Sequence, residues 1–198
     1  AELRELGVRT VISVDGLKPD VDRARASGLR YIHLPHGYDG IPRQRALELA
    51  KAVRNFPGPI YIHCHHGSHR SPAASVVACI TAGLIPADTG LQILRAAGTS
   101  PDYDGLYRSV QVARPINRSE LDTLQVEFRE AIDLPLMVEV MTQISQTLEH
   151  VEQIAQAGWQ LPADDRDASA VQEVLLLQEH FAEFQRDPSV RDRSLEFR

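Results

Sequence analysis

Residues 60–74 read IYIHCHHGSHRSPAA, which places His63, His65, His66 and His69 around Cys64 and then adds Arg70 and Ser71. Two kinds of chemistry use such residues. Histidine and cysteine are zinc ligands, and five of them fall in this one stretch. The other chemistry depends on spacing: five residues separate Cys64 from Arg70, and Ser71 follows at once. A tight loop between a strand and a helix turns successive N–H groups inward, making an anion nest that the positive helix end reinforces. Gly67 supplies the conformational freedom of that turn. The planar fork of Arg70 can grip two oxygens of the anion. Pro72 falls in the first helical turn, where a missing N–H costs nothing. Cys64 would lie at the bottom of the nest, where N–H groups, helix dipole and arginine favour thiolate over thiol. A thiolate under a phosphoryl group is placed for in-line attack, giving a cysteinyl-phosphate. Ser71 can then hydrogen-bond the sulfur and help it leave when water attacks.

The spacing favours the anion nest over the metal. Structural zinc sites usually draw their ligands from separate short knuckles. Here all five stand on one turn running into a helix, and Arg70 would repel a cation. In the nest, His65, His66, Gly67, Ser68, His69 and Arg70 form the loop around the phosphate. His63 is expected beneath it, tuning or orienting Cys64. The rim histidines His65, His66 and His69 would favour an anionic substrate and give a pH dependence near neutrality; the plainer alternative is that they are solvated loop side chains. His36 is expected near the cleft and His33 beside a strand, while His150 and His180 have no assigned role. Cys79, on an apolar helical stretch, reads as a small buried hydrophobe rather than a redox partner for Cys64.

The elements that must position this loop are legible in the pattern. TVISVDG (10–16), LRYIHLP (29–35) and GPIYIHC (58–64) read as strands. PDVDRARASG (19–28), RQRALELAKAVRNF (43–56) and SPAASVVACITAGL (71–84) read as helices. Such alternation predicts an α/β sheet with helices on its faces, and in these sheets ligands sit beyond the carboxyl ends of the strands. Helical patterns recur at 87–98 and 104–113. ARPINRSE (113–120) then marks a boundary, with a phosphate-cradle domain at 1–113 and a helical extension at 114–198. Within the extension, Ser119 and Asp122 suggest a capping box opening a helix to about Ile132. Met137, Val140, Met141, Ile144, Leu148, Val151 and Ile154 keep helical spacing up to Gly158. A last helix over about 168–186 uses Val171, Leu175, Phe181 and Phe184. The extension's apolar stripe can pack on the first domain or on a second copy of the chain.

Bulk composition narrows the field. The chain has 198 residues, of which 43% are apolar and 24% charged, with a net charge of −6. That suits a globular protein and argues against a broad nucleic-acid-binding surface. No run is long and apolar enough to span a bilayer. With two cysteines, Cys64 and Cys79, there is no disulfide framework. A nucleophilic thiol must stay reduced, which favours the cytoplasm. The opening AELRELGVRT, helical and leading straight into a strand, suggests that a first element is missing.

His-Cys-x-x-Gly-x-x-Arg-Ser, after a strand and before a helix, resembles the signature loop of the cysteine-dependent protein tyrosine phosphatases. Gly67 and Ser71 both match the dual-specificity branch, and the likeness covers roughly residues 1–113. It implies that branch's central sheet flanked by helices, and hydrolysis of a phosphorylated protein or a small phosphomonoester without a cofactor. It also implies a general acid, an aspartate on a loop upstream of the signature. In GYDGIP that is Asp39, with Asp15 in SVDG as the reserve. The lysines of phosphoinositide phosphatases are absent from the loop. Three other readings stand beside the phosphatase: a module that holds phosphate without turnover, a His/Cys metal protein, and a rhodanese-type sulfurtransferase, whose loop spacing fits poorly.

Overall fold

Strand β1 (Thr10–Ser13) is buried along its whole length. Its sequence TVIS carries the branched, apolar character of a strand covered on both sides. It is the middle strand of a three-stranded parallel sheet with the order β2-β1-β3, where β2 is Arg30–His33 and β3 is Ile60–His63. The register pairs Ser13 with both His33 and His63. The three strands therefore end level, and the segments after them, at Asp15, His36 and Cys64, emerge on one edge. This is a computed structural model, and it describes residues 2–159 and 170–186.

Parallel strands need crossover connections. Helix α1 (Glu2–Glu5) precedes β1; α2 (Val21–Ala26) joins β1 to β2, and α3 (Arg43–Asn55) joins β2 to β3. The Asp20 side chain starts α2 by accepting from the Arg23 N–H at 3.0 Å. Helix α4 (Arg70–Thr81) follows the cysteine loop, and its small, apolar sequence lets it bury two faces. On one face Ala74 and Ala78 pack with Ile12, Ile32, Leu49 and Cys64. On the other, Val76, Val77 and Ile80 meet Leu94 of α5 (Gly90–Ala96) and Leu106 and Val110 of α6 (Asp104–Val112). Leu49, Leu94 and Leu106 are fully buried, each worth about 2 kcal/mol of transfer free energy.

The chain divides into two compact units, 1–133 and 134–198. The boundary expected at 113/114 therefore falls twenty residues later (133 − 113 = 20). Residues 114–133 join the first unit for identifiable reasons. Leu121, in α7 (Arg118–Thr123), packs with Ala50 and Ala82. The helix expected to run to Ile132 ends at Thr123. Beyond it the chain is extended: the Arg129 carbonyl accepts from the His33 N–H at 2.9 Å on the edge of β2, and Phe128 meets Phe56 edge to face at 4.9 Å. Asn117, not Ser119, stands at the N-cap position of α7, and it makes no side-chain capping bond there. The strands are also shorter than the pattern suggests, because Asp15 turns the chain by accepting from the Leu17 N–H at 3.3 Å.

The second unit contains α8 (Leu136–Gln156) and α9 (Ala170–Arg186), which pack on each other and are joined by His150 Nδ1 and Glu173 at 3.1 Å. Val140, Ile144 and Ile154 of the stripe are buried, while Met141 and Leu148 are exposed. Residues 168 and 169 and the Phe184 side chain lie outside the described residues. Among the described residues no helix is long and apolar enough to cross a membrane.

Candidate active site

Cys64 follows directly on β3 and is 6% exposed, with its side chain in the core cluster of the sheet and α4. The loop then runs over residues 65–69, and α4 begins at Arg70 with His69 as its cap. Gly67 sits at φ +79°, in the left-handed region a β-carbon disfavours. Cys64 Sγ lies 3.3 Å from Ser71 Oγ, and that hydroxyl is also 3.1 Å from the Gly67 carbonyl oxygen. Ser71 thus spans the loop from the sulfur to its glycine. The backbone N–H groups of Gly67, Ser68 and His69 donate to no acceptor among the described residues. Arg70 Nε is buried without a hydrogen-bond partner. A buried donor of this kind is uncommon unless a ligand or water takes it.

Arg70 is held from two sides. Its Nη2 lies 3.3 Å from Asp15 Oδ1, and both side chains are nearly buried. Its guanidinium rests on the Tyr38 ring, 4.6 Å from the centroid. Tyr38 in turn stacks on Tyr103 at 4.6 Å, and His69 meets Tyr103 edge to face at 4.7 Å. The loop has a further brace outside the sheet: Thr99 Oγ1 donates to the Ser68 carbonyl at 2.7 Å, and Tyr107 donates to the Thr99 carbonyl at 2.7 Å. Thr99, Tyr38, Tyr103 and Tyr107 escape sequence reasoning. Only Tyr38 left a signal, by standing next to Asp39 in a loop with Gly and Pro on both sides.

Asp15 and Asp39 occupy different surroundings. Asp15 is 2% exposed, and its carboxylate serves Arg70 and the Leu17 N–H. Asp39 is exposed. Its Oδ1 folds back over its own loop, so near Gly37 that a β-carbon there would come within 2.5 Å. The loop is seated by α6: Ser109 Oγ accepts from the Ile41 N–H at 2.8 Å, and the Asp39 backbone lies so close on Gly105 that a β-carbon at Gly105 would collide with it.

The histidines differ just as sharply. His63 is half-buried, and its Nε2 bonds the Tyr31 hydroxyl across β1 instead of reaching the thiol. Burial lowers its pKa below the ordinary imidazole value. His33 is buried, with Nε2 on the Asp15 carbonyl at 2.9 Å and Nδ1 facing the Ile132 N–H at 3.2 Å. Burial lowers its pKa too. His36 is buried; its Nδ1 bonds the Gly37 carbonyl at 2.9 Å, and its Nε2 has no partner. Burial, which outweighs the Gly37 bond, pushes its pKa down to about 4. On the rim, His65 and His66 are exposed and meet edge to face at 4.7 Å. His69 is lowered by partial burial first and then by His66 and Arg70. Cys79 is partly buried, and burial pushes its thiol up.

The chain is similar to TpbA of P. aeruginosa. Against its crystal structure the identity is 21% and the TM-score 0.47, over 61% of this chain and 74% of that one. Against a cysteine-to-serine variant of TpbA in complex with pTyr, the identity is 24% and the TM-score 0.46, over 57% and 71%. At this identity and overlap the likeness bears on neither substrate nor mechanism. No protein-family model matches the chain, and no curated protein does.

Proposed function

We propose that the first unit is a cysteine-dependent phosphatase hydrolysing phosphomonoesters. The observation that carries this reading is the arrangement of buried Cys64 at the start of the loop, 3.3 Å from Ser71 Oγ, with Arg70 at the loop's end held by buried Asp15. Such a loop binds a dianion, and a thiolate below it faces the phosphorus. Sulfur attacks phosphorus in line as the ester P–O bond breaks, and the leaving oxygen takes a proton from the Asp39 carboxyl. Water then attacks the cysteinyl-phosphate, giving its proton to the Asp39 carboxylate, and the S–P electron pair returns to sulfur, which Ser71 hydrogen-bonds. Arg70 offsets the charge on the equatorial oxygens throughout. Asp15, committed to Arg70, is the positioning carboxylate, so exposed Asp39 is the acid; its loop meets Arg70 through Tyr38. Asp39 must turn its carboxylate away from Gly37 to do so.

Phosphate release from an aryl phosphate tests the reading. Cys64→Ser should abolish turnover and still bind inorganic phosphate. Asp39→Asn should lose about 100-fold, most for poor leaving groups. Turnover that survives Cys64→Ser ends the covalent mechanism. One observation favours a second reading, a phosphate-holding module: Asp39 Oδ1 is folded back against Gly37 of its own loop. That reading predicts phosphate binding by the wild type with no turnover at all.

A further inference from the structure

The amino ends of the strands carry a second feature, at the edge opposite Cys64. A groove of about 1130 Å³ runs there between α2, the edge of β2 and residues 127–131. Five arginines line it, Arg4, Arg9, Arg25, Arg30 and Arg129, against the three acids Asp22, Glu127 and Glu130. The local balance is therefore +2 (5 − 3) in a chain of net charge −6. The acids are largely committed. Arg25 pairs with Glu130 and holds its carboxyl below the ordinary range, and Arg129 pairs with Glu127 at 2.9 Å. The remaining three arginines form no salt bridge among the described residues, although Arg30 also acts on the nearby Glu130 carboxylate. Arg4 donates to the Gly28 carbonyl at 3.0 Å, Arg30 lies over the Phe56 ring at 5.0 Å, and Arg9 forms no side-chain contact of either kind.

The floor of the groove is a strand edge that residues 127–131 cover only in part. β2 is an edge strand, and the N–H groups of Arg30 and Leu34 point to β1. Alternation along the strand turns the Tyr31 and His33 N–H groups the other way. Residues 127–131 satisfy His33 through the Arg129 carbonyl and leave Tyr31 facing the groove. Exposed backbone donors on an edge recruit an extended chain. Leu29, Phe56 and Pro57 add apolar surface beside them.

We infer that this groove is a docking site for an extended, carboxylate-rich peptide segment of a partner protein, laid along β2 with its acids on Arg4, Arg9 and Arg30. A nucleic acid fits worse, because Asp22, Glu127 and Glu130 on the same walls would face its continuous phosphate charge. The site is independent of the phosphatase reading: Arg9 precedes the first residue of β1 and Arg30 is the first residue of β2, whereas Asp15 and Cys64 follow the strand ends.

Fluorescence anisotropy of the full chain with a rhodamine-labelled peptide of alternating Glu and Val tests it. Binding should weaken with salt. It should fall by at least about tenfold in Arg9→Glu/Arg30→Glu and by less in Arg9→Gln/Arg30→Gln, both with an unchanged tyrosine circular-dichroism band. It should persist in Cys64→Ser. Undiminished binding in both arginine pairs, equal binding of a control peptide of alternating Lys and Val, or tighter binding of oligothymidylate would overturn the docking site.

Discussion

Replacing Asp15 by asparagine removes a charge and almost nothing else. Asparagine keeps the oxygen that accepts from the Leu17 N–H, so the turn after β1 survives. What disappears is the negative charge on the oxygen that faces Arg70 at 3.3 Å, in surroundings where the two side chains are 3% and 11% exposed. With an effective dielectric constant of about 20, the Coulomb attraction at that separation is about 5 kcal/mol. Relief from burying the carboxylate returns part of it, and Arg70 keeps the Tyr38 face, so the net loss should be about 3 kcal/mol. The assay can read the first unit alone. All five tyrosines (31, 38, 61, 103 and 107) lie within residues 1–133, and the single tryptophan, Trp159, lies outside them. Urea unfolding followed on the tyrosine near-ultraviolet band should show the loss in Asp15→Asn and a comparable loss in Arg70→Met. The double variant should recover much of it, because no orphan charge remains. If the two single losses simply add, within about 0.5 kcal/mol, the pair is not coupled and Asp15 does not hold Arg70.

Other expectations follow from the same geometry. Gly105→Ala, on a helix, would ordinarily gain about 1 kcal/mol; because its β-carbon would strike the Asp39 backbone, it should instead lose about 1–3 kcal/mol in the same unfolding assay. A gain would show that the Asp39 loop is not seated on α6. Thr99→Val removes the hydroxyl that donates to Ser68 and should cost about 1 kcal/mol and weaken phosphate binding measured by calorimetry; unchanged affinity would remove Thr99 from the loop's support. His36, held to about 4 from an ordinary 6.5, folds neutral while the unfolded chain takes the proton first. Its stabilising contribution is complete above pH 6.5 and is lost as pH falls toward 4, at about 1.4 kcal/mol per pH unit and about 3 kcal/mol in all. His36→Gln should flatten that part of the pH–stability curve, and an equally steep curve would contradict the assignment.

The parts of the site legible in sequence are those fixed by local chain. Cys64, Gly67, Arg70 and Ser71 occupy one turn, so spacing alone predicts that sulfur, hydroxyl and guanidinium converge. The sheet was legible for a similar reason, since each strand carries its own pattern of branched apolar residues. What spacing does not carry is contact between distant segments. Asp15 meets Arg70 because the register aligns the ends of β1 and β3. Thr99 reaches Ser68 across 31 positions, and Tyr38 stacks on Tyr103, a residue far from it in sequence. Residues 124–133 have a plausible helical pattern, but the open edge of β2 takes their backbone instead. His63 looked like a neighbour of the thiol in sequence, yet its ring reaches Tyr31 across the sheet.

The central claim is a phosphoryl group carried on Cys64. Wild-type protein mixed with an aryl phosphate, quenched in acid during turnover and digested, should yield the peptide containing Cys64 heavier by one phosphoryl group. That adduct should be absent from Cys64→Ser and should appear and decay at the rate of phosphate release. Phosphate released at full rate with Cys64 never modified would contradict it.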